Sequence, residues 1–114
     1  MSLPSFTTSK LRTSRLTRNR LAYFHENHEL HVAIVRCSGN SAIVDIHARL
    51  IARVRRARYQ AILSEARWSA SVEEHAQILA ALARRDARRG GELMRQHVAH
   101  TSQVVRASMD ERIP

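Results

Sequence analysis

Apolar side chains recur along this chain at intervals of three and four residues, the repeat of an α-helix that buries one face. The repeat runs first from about Leu16 to Cys37. On a wheel of about 100° per residue, Leu21, Tyr23, Phe24, Leu30, Val32, Ile34 and Val35 sweep out one arc, and His25, Glu26, Glu29 and Arg36 fall opposite. Ser38-Gly39-Asn40 breaks the pattern. Gly39 suits a left-handed helix end, and Asn40 or Ser41 can cap the next helix. That second helix is predicted to about Glu65, with Ile43, Ile46, Leu50, Val54, Ala57 and Ala61 along its stripe. Arg67 to Ala70 reads as a turn, and Ser71 with Glu74 has the spacing of a capping box opening a third helix. Asp86 then caps a fourth helix reaching about Arg106.

These elements predict an all-α fold, an antiparallel bundle of about four helices. Residues 17–107 hold almost nothing that breaks a helix. Residues 1–16, rich in Ser, Thr and Arg and free of acids, read as a flexible basic arm, and 108–114 as a tail. At 114 residues the chain makes one compact domain. Its apolar share is 44% but its aromatic share only 4%, so the core must be aliphatic.

Charge changes the picture less than its size suggests. The formal net charge is +9, which invites nucleic acid as a partner. The arginines are spread over several segments, however, and no aromatics interleave with them as single-strand stacking requires. A solvated arginine-rich surface accounts for most of them, and no direct nucleic-acid binding is expected. The lone cysteine, Cys37, cannot close an intramolecular disulfide, which suits a reducing cytoplasm. No apolar run approaches the roughly 18 residues of a membrane span. No nucleophile or carboxylate pair is arranged for catalysis, so no enzyme is expected.

Candidate chemistry lies in imidazoles on the apolar faces. Asn27 and His31, one turn apart, fall near the middle of the first helix's apolar arc. His75 sits among Val72, Ile78, Leu79 and Leu82, and His97 among Leu93, Met94, Val104 and Val105. One such ring is ordinarily a hydrogen-bonded core residue. Three of them, with an amide alongside, make a donor set suited to a divalent transition metal within a bundle. His28 and His47 read as boundary residues, His100 as a weaker ligand candidate and His25 as solvent-facing.

The segment Asn27-His-Glu-Leu-His31, followed by Ser38-Gly39-Asn40, resembles the signature of the FCD domain, the C-terminal sensing module of FadR-type regulators in the GntR family of transcription regulators. The likeness continues through Glu74-His75-x-x-Ile78-Leu79-x-Ala81-Leu82 and Arg85-Asp86 to Met94-x-x-His97. It implies a divalent metal ion, zinc or nickel, held by His31, His75 and His97. Asn27 stands where the family usually has Asp, and its neutral oxygen lowers the expected affinity. The resemblance also implies a small carboxylate effector, a homodimer, and a regulator here without its winged helix-turn-helix. Arg53 and Arg49, at the margin of the second helix's stripe, are the candidate effector contacts. Two other readings stay open: a basic interaction module acting through Arg12–Arg20 and Arg53–Arg58 on nucleic acid or protein, and a vestigial regulator fragment.

Overall fold

A computed structural model describes residues 6–112, and every regular element among them is an α-helix. The order is α1 Phe6–Leu16, α2 Arg20–Arg36, α3 Ser41–Ala61, α4 Glu65–Ala83 and α5 Ala87–Arg112. The chain forms two compact units, Met1–Tyr59 and Gln60–Pro114. The all-α expectation holds, with five helices in place of about four.

In the first unit, α1 packs along α2. Residues 6–16 are therefore helical, which corrects the expectation of a flexible arm across 1–16. The reason is a small apolar anchor: Leu11 is 1% exposed, and Ser14 is buried and donates its hydroxyl proton to Glu26 Oε2 at 2.7 Å. The break between the helices falls at Thr17–Asn19, where Arg18 has a φ of 57° and the Asn19 side chain accepts from the Ala22 N–H at 3.0 Å. Residues 1–5 and 113–114 lie outside the described chain, and α5 runs to Arg112, through most of the expected tail.

The end of α2 agrees with its sequence signal. Gly39 has a φ of +67°, the left-handed geometry glycine adopts without a Cβ penalty. Asn40 then accepts from the Ala42 and Ile43 N–H groups at 3.0 and 3.3 Å, capping α3. Inside this unit Phe24 meets Tyr59 edge to face, with ring centroids 5.3 Å apart, and the Arg55 guanidinium lies 5.5 Å above the Phe24 ring. The predicted stripe of α3 is not a buried one: Ile43, Ile46, Leu50 and Val54 are exposed, and only Ala61 at its end is buried. Leu21, placed on the buried arc of α2, is exposed as well.

In the second unit α4 and α5 pack as a helical hairpin. The helix begins at Glu65, capped by Ser64, whose side chain accepts from the Arg67 N–H at 3.2 Å. Arg67 to Ala70 is thus the first part of α4, not a turn, and Ser71 is a buried helix-interior residue, not a cap. Burial decides this, because Trp68 is 0% exposed and the helix must already be formed to carry it inside. Asp86 caps α5 as expected, accepting from the Arg89 N–H at 3.0 Å. Gly90 is buried at the crossing, where a Cβ would meet Leu82 Cδ2 at 3.5 Å.

Leu11→Ala should lower stability in urea unfolding by about 2–4 kcal/mol, the cost of emptying a buried leucine site. Leu16→Ala, at an 82% exposed position of the same helix, should change it by no more than about 0.5 kcal/mol. Equal, negligible effects of the two would mean that α1 does not dock.

Candidate metal centre

On α4 the residues Arg67, Ser71, His75 and Ile78 are buried at spacings of four, four and three, one continuous helix face. On α5, Gly90, Leu93 and His97 make the facing stripe. The hairpin thereby brings two predicted imidazoles together. The rings of His75 and His97 are 1% and 5% exposed, with centroids 4.4 Å apart and planes inclined at 60°.

A charged network surrounds His97. Arg67, 6% exposed, grips the Glu74 carboxylate with both ends of its guanidinium, Nη1 to Oε2 at 3.0 Å and Nη2 to Oε1. His97 Nδ1 lies 2.6 Å from Glu74 Oε1, and His100 Nδ1 lies 3.1 Å from Oε2. Arg67 Nη2 also approaches His97 Nδ1 at 3.2 Å and the His97 carbonyl oxygen at 3.5 Å. His100 is exposed, so it sits at the rim.

In the first unit, α2 carries Asn27 and His31 at i and i+4, both buried, 9% and 7% exposed. Among the described residues, Asn27 Oδ1 has no hydrogen-bond partner although it is shielded from solvent. A buried amide oxygen left so costs about 1–3 kcal/mol. This orphaned acceptor, set one turn from a buried imidazole, fits the donor set of a metal site.

The sequence profile of the FCD domain matches residues 8–100 of the 114. The chain belongs to the FCD domain family. FCD is the C-terminal domain of GntR-family regulators, an effector-binding and regulatory domain and not a catalytic one. No curated protein and no solved structure matches the chain. No helix among the described residues is long and apolar enough to cross a membrane.

Elsewhere in this FCD domain, Arg49 and Arg53 stand exposed on α3, and His25 is exposed on α2. His28 and His47 are half-buried. Burial lowers the pKa of both, and the Arg58 charge lowers it further, so they form a separate group on α2 and α3. Sequence reasoning missed Arg67 and Glu74 as site residues. The one available signal was their i, i+7 spacing with opposite charges, two turns apart on one face once α4 is known to start at Glu65.

Burial alone would raise the Glu74 carboxyl, but the hydrogen bonds from Arg67, His97 and His100, with the Arg67 charge, outweigh it and hold the pKa at about 2. A carboxyl depressed on folding from 4.5 to about 2 stabilises the fold fully above pH 4.5. That stabilisation is lost as pH falls toward about 2. Urea midpoints of metal-free protein should show wild type ahead of Glu74→Gln above this window and converging with it across the window. A constant gap would mean that Glu74 is not held ionised by its neighbours.

Proposed function

We propose that this FCD domain is the sensing module of a FadR-type regulator that binds one divalent metal ion and a small organic acid. His31, His75 and His97 would hold the ion through ring nitrogens and Asn27 through its amide oxygen. The observation that carries this reading is the solvent-shielded Asn27 Oδ1, without a hydrogen-bond partner among the described residues, beside the buried His31. The three imidazoles are each buried, and each has one nitrogen to offer. Metal binding is frequent in FCD domains. Imidazole nitrogens with one oxygen favour zinc or nickel over calcium or magnesium.

When bound, the ion supplies a Lewis acid to which a carboxylate can attach. The protein's own part is to exclude water and to fix the donors. Arg49 and Arg53 are the proposed partners for the far end of the effector, since a guanidinium pairs with a carboxylate through two parallel hydrogen bonds. Effector binding then shifts the balance between two states of the regulator, as any differential affinity must. A second copy of the chain is the proposed protein partner. The row of Ile43, Ile46, Leu50 and Val54, 42–57% exposed along α3, is an apolar face that self-association would cover.

Protein purified without an affinity tag should hold about one equivalent of zinc or nickel by elemental analysis, and His31→Ala, His75→Ala and His97→Ala should each abolish its retention through gel filtration. Asn27→Asp should tighten zinc binding by adding a charge. Small dicarboxylates should raise the melting temperature of the metal-loaded chain only, with less effect on Arg53→Ala. Wild type that takes up no zinc at micromolar concentrations would overturn the reading. Light scattering should give the mass of a dimer, and Ile46→Asp with Leu50→Asp should give a monomer; a monomeric wild type would exclude the second copy.

A further inference from the structure

The contacts around His97 present a conflict that a proton on Nδ1 resolves. Two groups compete for the same ring nitrogen: Glu74 Oε1 at 2.6 Å and Arg67 Nη2 at 3.2 Å from Nδ1. A guanidinium can only donate, and a carboxylate without its proton can only accept. Were Nδ1 the bare nitrogen, its lone pair would face a carboxylate oxygen at the shorter of the two distances, which is repulsive. With a proton on Nδ1, the 2.6 Å contact becomes a short, charge-assisted hydrogen bond. The Arg67 Nη2 protons then have Glu74 Oε1 and the His97 carbonyl oxygen to serve.

We propose that Glu74 is the positioning residue of the site: clamped by Arg67, it holds His97 in the Nδ1–H form, so that in the neutral ring the nitrogen able to act as donor atom to a metal is Nε2. Arg67 is the clamp. Its two-pronged grip fixes the carboxylate plane, and its burial makes the pair rigid, because an unpaired charge there is costly. Neutral histidine side chains in water favour the opposite form, with the proton on Nε2. The Glu74 contact therefore works against the intrinsic preference of the ring. A carboxylate behind a ligating histidine fixes the ring and raises its basicity.

The proposal rests on the metal reading for its purpose but not for its test. Nitrogen-15 spectra of the metal-free full chain, above the pH at which His97 titrates, should show His97 as Nδ1–H. Glu74→Gln should shift it toward a mixture with the Nε2–H form and weaken zinc binding about 10–100-fold, the range for loss of such a supporting partner. Since Glu74→Gln leaves Arg67 buried without its counter-charge, the double variant Arg67→Met with Glu74→Gln provides a charge-neutral background, in which the same loss of Nδ1–H is expected. An Nε2–H ring in wild type, or an unchanged tautomer in both variants, overturns the proposal. If wild type binds no zinc the metal reading falls, and the wild-type tautomer alone decides the role of Glu74.

Discussion

Arg67 and Glu74 set the terms for the second unit. A guanidinium that is 6% exposed must be matched by an opposite charge and have its donors satisfied, or the fold does not tolerate it. Glu74, two turns along the same helix, provides that match, and its remaining lone pairs reach across to His97 and His100 on α5. One ion pair therefore joins the interior of α4 to the face of α5 and settles how an imidazole is presented. Removing either partner leaves the other stranded.

Around this pair the hairpin is made of ordinary parts. Ser64 and Asp86 cap the two helices, and Gly90 lies buried beside Leu82. Trp68 and Ile78 supply buried apolar bulk on the same helix as Arg67 and Glu74. Arg67 and His97 are buried while Glu74 is 21% exposed, so the hydrogen bonds of these two act in a medium of lowered dielectric, where each is stronger and each omission more costly. His75 and His97 are held in that medium with their rings in contact distance. The first unit repeats the logic on a smaller scale: Tyr23, Phe24 and Leu30 bury α2, and Asn27 and His31 are carried inward on the same face.

For an FCD domain this organisation makes sense as a sensor. A sensing site has to be rigid enough to discriminate ligands and close enough to mobile elements to report them. The polar network fixes the orientation of the His97 ring within the α4–α5 hairpin. The exposed apolar row of α3 is the surface that the proposed second copy would cover.

The residues that can bear chemistry were legible before any coordinates. Helical periodicity put Asn27, His31, His75 and His97 on apolar faces, and all four are buried. The end of α2 at Gly39 and the caps at Asn40 and Asp86 were equally plain, because those signals are local and act through the backbone of a few neighbouring residues. What the chain could not disclose was any choice that depends on a distant partner. Ser64 and Ser71 are both fit to cap α4, and the burial of Trp68 selects the first. Glu74 has the spacing of a capping-box acid for Ser71, yet its partners are Arg67, His97 and His100. Leu11 and Ser14 look like part of a polar arm until α2 is placed beside them, and the stripe of α3 looks buried until nothing among the described residues covers it. Periodicity reports which side of a helix is apolar; only packing decides which sides find cover and which charges meet.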